Sequence, residues 1–134
     1  MLPFDPRSGG HGNILRLERV CEDEHLLYFV LELCPGGDLF DRVQKEASGR
    51  LPEAKARQYF LQLLQGVCFL HGRGIIHRDL SLENAMVDGN DTVKLIDFGL
   101  SVDRWYGGPP PPGLMPAGGK VGKPSYMDPL IFAN

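Results

Sequence analysis

Asp79, Asn84 and Asp97 are the side chains of this sequence best suited to act together. They lie in two short runs, His77-Arg78-Asp79 with Asn84 five residues after the aspartate, and Asp97-Phe98-Gly99. A carboxylate such as Asp79 can take a proton from a hydroxyl in reach. Asn84 and Asp97 offer hard oxygen donors, which Mg²⁺ prefers, and Mg²⁺ is usually held by one or two protein groups together with water and phosphates. Either run alone is a weak signal, and a lone His77 is more often a core histidine. Their order, the register of Asn84, a hairpin between them and a long amphipathic helix before them make the set specific. Gly99 after Phe98 permits backbone angles that other residues resist.

The elements around these runs must bring them together. Residues Ile14 to Val20 alternate well enough for a strand, Glu22-Asp23-Glu24 reads as a polar turn, and Leu26 to Leu31 is a β-prone run that gives a second strand. Cys34-Pro35-Gly36-Gly37 breaks it, and Asp38 starts a short helix through Val43. The strongest helix runs from Pro52 to about Leu70. Pro52 suits its first position, and Gly72 its left-handed stop. Ala56, Tyr59, Phe60, Leu63, Leu64, Val67 and Leu70 form one wide apolar stripe along it. Ala85-Met86-Val87 and Val93 to Ile96 flank Asp88-Gly89-Asn90-Asp91 as a hairpin, which carries the chain out and back so that Asn84 and Asp97 emerge side by side. The Gly- and Pro-rich stretch 101–121, with Pro109 to Pro112, reads as a mobile loop, and its tetraproline as either a spacer or an SH3 or WW ligand.

Composition narrows the class. The chain has 134 residues, 43% hydrophobic and 23% charged, as in ordinary globular proteins. A net charge of −3 argues against a nucleic-acid partner. The longest apolar stretch, Leu26 to Leu33, is too short to span a bilayer, and no membrane partner is expected. The first residues lack the pattern of a signal peptide. Cys21, Cys34 and Cys68 are odd in number and form no C-x-x-C pair, so they read as reduced thiols of a cytoplasmic or nuclear protein.

Taken together, His77-Arg78-Asp79-Leu80-Ser81-Leu82-Glu83-Asn84 and Asp97-Phe98-Gly99 resemble the catalytic and metal-binding loops of the eukaryotic-type protein kinases. The resemblance runs from about His11 to Phe132. His11-Gly12-Asn13-Ile14-Leu15 is similar to the family's H-P-N-I-L segment. Leu27 to Gly37 resembles a strand and the hinge after it, and Gly122 to Leu130 the family's G-T-P-x-Y-M-A-P-E segment. It implies an α+β fold, a partial protein-kinase-like fold. Residues 1–10 would be a disordered N-terminus, 11–37 the end of the N-lobe strands and the hinge, and 38–134 the first part of the helical C-lobe, with an activation segment over 97–130.

It also implies roles. Phosphoryl transfer asks a protein mainly for positioning and charge neutralisation. Asp79 would be the base beside the acceptor hydroxyl, and Asn84 and Asp97 the ligands of Mg²⁺. Leu31 would be the gatekeeper, the backbone of Glu32 and Cys34 would meet the adenine of ATP, and Asp38 would lie near the ribose or a basic substrate residue. Leu39 and Met86 would floor the adenine pocket, and Leu17, His77 and Phe98 would join an internal apolar spine. Core roles for Leu17, Leu39, Met86 and Phe98 stay equally open. Arg78 could pair with a phosphate on the loop, although Tyr106 is the only hydroxyl between Val102 and Val121. The expected function is ATP- and Mg²⁺-dependent transfer to Ser/Thr hydroxyls of a protein substrate. The alternative is an inactive pseudokinase-like fragment that acts as a protein-interaction module.

Departures from the family are informative. Ser81 stands where the Ser/Thr branch carries a lysine, and Lys123 where it carries a threonine, while Glu83 and Asn84 keep the Ser/Thr pattern. Asp128 and Leu130 replace the alanine and glutamate of A-P-E. A compensated swap would place the Lys123 ammonium within ~4 Å of the Asp79 carboxylate, close enough for a strong opposite-charge interaction; two independent losses are the alternative. Lys120 and Lys123 also read as solvated lysines. The 134 residues include no glycine-rich phosphate loop and no V-A-I-K lysine. The helix 52–70 is then expected to expose an apolar face, for the missing part of a kinase domain or another protein to cover.

Overall fold

An alternating run and an apolar run pair as an antiparallel ribbon, β1 (Leu17–Glu22) with β2 (Leu27–Leu31), in the register Val20 to Phe29 and Cys21 to Tyr28. Asp23 builds the turn: one carboxylate oxygen accepts from the His25 and Leu26 amides at 2.8 and 2.9 Å, and the other from the Tyr28 hydroxyl at 2.7 Å. These bonds hold the carboxyl below the ordinary carboxylate range, the His25 amide contributing most. The computed structural model describes residues 10–103, 121–127 and 129. The expectations for residues 1–9, for the tetraproline and Tyr106, and for Asp128 and Leu130 lie outside the described residues.

The ribbon leads into Cys34–Gly37, which lies beside the hairpin formed by β4 (Ala85–Val87) and β5 (Val93–Leu95). The Gly36 amide donates to the Val87 carbonyl at 2.9 Å, and the Val87 amide to the Gly37 carbonyl at 2.8 Å. A Cβ at Gly36 would lie 2.7 Å from the Val87 carbonyl oxygen, so this close pairing needs a glycine. Asp38 then caps α1 (Leu39–Lys45), its carboxylate accepting from the Asp41 amide at 2.7 Å.

The long helix α2 (Glu53–Gly72) lies against β5 and β3 (Ile75–Ile76). Gly66 allows the close approach: a Cβ there would be 3.0 Å from both the Asn13 carbonyl oxygen and a Leu95 methyl. Two small cores result. Leu39, Tyr59, Ala85, Val87 and Val93 form one, and Ile14, Leu70, Ile75 and Leu95 the other. Tyr59 also donates to Asp91, which Lys55 holds at 2.6 Å. β3 pairs antiparallel with β6 (Val102–Asp103). The order ββααββββ and the three two-stranded sheets make an α+β fold.

Several expectations change in detail. Ile14 does not belong to the first strand. It is 3% exposed and bridges Leu95 in parallel, with the Leu95 amide donating to Asn13 and the Leu15 amide to Leu95. Gly72 is helical, and the left-handed residue is Gly74 at φ 74°. The α2 stripe divides. Tyr59, Leu63, Val67 and Leu70 face the cores, whereas Phe60, Leu61 and Leu64 are exposed. Val102 and Asp103 are strand rather than loop.

Candidate active site

The hairpin brings the two chemical runs together through one backbone bond. The Ile96 amide donates to the Asn84 carbonyl at 3.0 Å, so Asn84 sits beside the residue that precedes Asp97. The Asn84 side chain is buried, and its amide nitrogen donates twice to Asp79, to the backbone carbonyl at 2.8 Å and to the carboxylate at 2.7 Å. Both amide hydrogens are thereby used, which leaves the amide oxygen as the face free for a cation.

His77 locks the other side of the loop. Its Nδ1 accepts from the Asp79 amide at 3.2 Å, so its Nε2 carries the hydrogen and donates to the Ile96 carbonyl at 2.9 Å. The ring is 2% exposed and lies 5.0 Å from that of Phe98. The imidazole therefore ties the Asp79 backbone to Ile96, between the end of β5 and Asp97. Arg78 is left-handed at φ 68°, and its side chain donates to the Leu100 carbonyl at 2.6 Å, bracing the loop after Gly99.

The backbone freedom expected of Gly99 is in fact required of Asp97, whose φ is 59°. The Asp97 carboxylate accepts from the Gly99 amide at 3.1 Å, a local bond that helps an aspartate hold this conformation. Strained backbone at Arg78 and Asp97 fits a functional loop. Asp97 is exposed and Asn84 buried, so a cation held by both would sit at the surface of the loop. Among the described residues no cluster of three or more His, Cys, Asp or Glu could hold a metal. A two-ligand site suits Mg²⁺, which keeps water and phosphate oxygens in its shell.

Lys123 does not meet the expectation of a contact with Asp79. No ion pair within 4.0 Å joins them among the described residues; the ammonium instead lies 2.7 Å from the Ser81 hydroxyl and 3.2 Å from the Glu83 carboxylate. The reason is geometric. One Asp79 oxygen is already held by Asn84, and the Gly122 backbone lies against the Arg78 carbonyl, so the chain reaches the loop nearer residue 81. Glu83 Oε2 makes no aligned hydrogen bond, so its contact with Lys123 is an ion pair only. The Glu83 carboxyl sits below its ordinary range, first through its own backbone amide and then through Lys123 and Ser81.

The hinge residues divide in role. The Glu32 amide donates to the Arg16 carbonyl at 3.0 Å, and the Cys34 carbonyl accepts from Gly37 at 3.3 Å. The Glu32 carbonyl and the Cys34 amide make no hydrogen bond among the described residues, which leaves one acceptor and one donor on the same edge of the chain. Cys34 is buried, and desolvation raises its thiol pKa, so the thiol stays neutral. Asp38 caps α1 and bridges Met86 through its backbone. Leu39 is core, Met86, Leu17 and Phe98 are half-buried, and Leu31 is 49% exposed on the ribbon.

Sequence reading overlooked Lys94. It is 8% exposed, and its ammonium lies 3.1 Å from Glu32 and 3.9 Å from Asp88. Glu32 also accepts from the Arg16 amide at 2.7 Å. The hinge is thus fastened by a part-buried ion pair to the strand before Asp97. The available signal was a lysine inside an otherwise apolar strand, Val93-Lys94-Leu95.

Comparison with known proteins agrees with this geometry. The family model for the protein kinase domain matches residues 6–132. The chain belongs to the protein kinase family, and its relatives place it in the Ser/Thr branch as part of a catalytic domain. It is 46% identical over 126 residues to CBL-interacting protein kinase 19 of Oryza sativa subsp. japonica. It is 41% identical over 125 residues to CBL-interacting serine/threonine-protein kinase 17 of Arabidopsis thaliana, and 41% over 128 residues to the hormonally up-regulated neu tumor-associated kinase of Mus musculus. Each match covers 92% of this chain but only 23%, 27% and 16% of the respective relative.

Proposed function

We propose that residues 10–103 and 121–127 form the base and metal half of a Ser/Thr protein kinase active site that transfers the γ-phosphoryl group of ATP to hydroxyls of a protein substrate. The observation that carries this reading is the double donation of Asn84 to Asp79, with Asp97 brought alongside by the Ile96–Asn84 bond. Asn84 fixes one Asp79 oxygen, and the other accepts the proton of the acceptor hydroxyl. The Asn84 amide oxygen and the Asp97 carboxylate hold Mg²⁺, which when bound neutralises phosphate charge. The Glu32 carbonyl and Cys34 amide match the donor and acceptor edge of adenine, with Met86 beneath it.

The polypeptide of these 134 residues is by itself inactive in this reading, because half of the phosphate cradle is supplied by residues outside it, and positioning and electrostatics carry most of this chemistry. Exposed Phe29, Leu31, Phe60, Leu61 and Leu64 are then covered by further parts of a kinase domain. Those exposed faces also support the second reading, a pseudokinase-like interaction module. Cys21, Cys34 and Cys68 form no disulfide, which supports a cytoplasmic or nuclear setting. No helix of the described residues is long and apolar enough to cross a membrane.

The test is phosphoryl transfer from Mg-ATP to a basic Ser/Thr substrate. The full natural protein is expected to turn over at the ~1–100 per second usual for kinases, and to lose this with Asp79→Asn. The 134-residue polypeptide is expected to show none. Turnover by the polypeptide, abolished by Asp79→Asn, refutes its inactivity; silence of the full protein favours the interaction module.

A further inference from the structure

Two replacements that look unrelated in sequence meet in space. Lys123 crosses from the segment 121–127 to the catalytic loop and ends 2.7 Å from the Ser81 hydroxyl. Ser81 is 8% exposed, while the Lys123 and Glu83 side chains are 37% and 41% exposed, so the contact is only partly desolvated. The Glu83 carboxylate lies 3.2 Å from the same ammonium. A lysine at position 81 would bring a second cation to this place, and a threonine at 123 could not reach it. The pair is therefore internally consistent.

The same segment touches the loop at two further points. Gly122, at φ 101°, lies so close that a Cβ would be 2.5 Å from the Arg78 carbonyl oxygen and 3.6 Å from an Asp79 carboxylate oxygen. The Tyr126 hydroxyl faces the Leu82 amide at 3.5 Å. The three contacts fall on residues 78, 81–83 and 79, the stretch that carries the base.

We propose that Lys123 is a positioning residue, a latch that joins the Ser81 hydroxyl and Glu83 carboxylate and thereby docks the segment 121–127 against the loop bearing Asp79. It is not a counter-ion of the base. The proposal rests on the kinase reading of Asp79 for its functional consequence, and on contacts alone for its structural one. It follows that Glu83 is already neutralised from within the chain. The loop therefore has less free negative charge for a basic substrate residue than its sequence suggests.

The experiment compares Lys123→Met, Lys123→Arg and Glu83→Gln by amide hydrogen exchange of residues 121–127, and by kcat, KM for ATP and the pH–rate profile in the full natural protein. Lys123→Met is expected to speed exchange of the segment and to lower kcat about 10- to 100-fold, the loss typical of misplaced reacting groups. KM for ATP and the acid limb should stay unmoved. Lys123→Arg should restore most of both readouts, which also shows that Lys123→Met folds. Glu83→Gln should speed exchange without moving the acid limb. Unchanged exchange in Lys123→Met overturns the latch. An acid limb shifted by a unit or more shows a direct action on Asp79 and overturns it too. A full protein without transfer activity sinks the kinase reading instead, and exchange alone then decides the latch.

Discussion

Removing the Asn84 side chain tests how much of the site depends on one amide. Asn84→Ala deletes a hydrogen bond to the Asp79 carboxylate at 2.7 Å and one to its carbonyl at 2.8 Å. A bond to a charged group is worth about 1.5–3 kcal/mol and a neutral one about 0.5–1.5 kcal/mol. Together they give about 2–4.5 kcal/mol of loop order, and at about 1.36 kcal/mol per decade this predicts a fall in kcat of about 30- to 2000-fold. Loss of the amide oxygen adds weaker binding of Mg²⁺. Asn84→Asp separates the two effects. It keeps an oxygen for the cation, but sets a second carboxylate against Asp79 and raises the pKa of the pair. Transfer should fall while metal affinity holds, and the acid limb of the pH–rate profile should move upward. Steady-state kinetics of the full natural protein across Mg²⁺ concentration and pH is the assay. Transfer by Asn84→Ala within threefold of the parent would refute the reasoning.

Three further outcomes follow from the structure. Lys94→Met strands the part-buried Glu32 carboxylate, which keeps only the Arg16 amide, so stability should drop by about 1–3 kcal/mol, and adding Glu32→Gln should recover most of it; a double variant no better than the single one in urea unfolding contradicts the pairing. Gly122→Ala forces a side chain into a left-handed position against the Arg78 carbonyl, so it should cost about 1–3 kcal/mol and loosen residues 121–127 in hydrogen exchange; unchanged protection argues against the close approach. The Lys55 hydrogen bond, followed by that of Tyr59, holds the Asp91 carboxyl below its ordinary range, so its stabilisation is present above about pH 3.9 and fades as pH falls through the lower folded value. Asp91→Asn should flatten that acid slope in circular dichroism, modestly because the side chain is 40% exposed.

Local pattern made some elements legible and left others hidden. Helix α2 announced itself by spacing, α1 by Asp38, and the β4–β5 hairpin by its polar turn, because each is set by neighbours in sequence. Pairing of Ile75–Ile76 with Val102–Asp103 was not legible, since two-residue strands 26 positions apart carry no periodicity. Ile14 alternates like a strand residue, yet burial against Leu95 and Leu70 claims it for the core. The left-handed angle falls on Asp97 because the chain must turn before Gly99, and a carboxylate bond to the Gly99 amide supports it. The residue types of the site were readable, but the choice of Lys123 between Asp79 and Glu83 depends on which oxygens are already occupied. Lys94 escaped notice because its partner Glu32 is 62 residues away.

The central claim is that the hairpin sets Asn84 and Asp97 into one cation site beside Asp79. Nuclear magnetic resonance of the full natural protein with ATP and Mn²⁺ in place of Mg²⁺ tests it most directly, because the paramagnetic ion broadens the signals nearest to it. The account predicts that the Asn84 side-chain amide and the backbone amides of Asp79 and Asp97 broaden first, and that Asp97→Asn removes the effect. Broadening centred on Asp88 or Asp91, or persisting unchanged in Asp97→Asn, would contradict it.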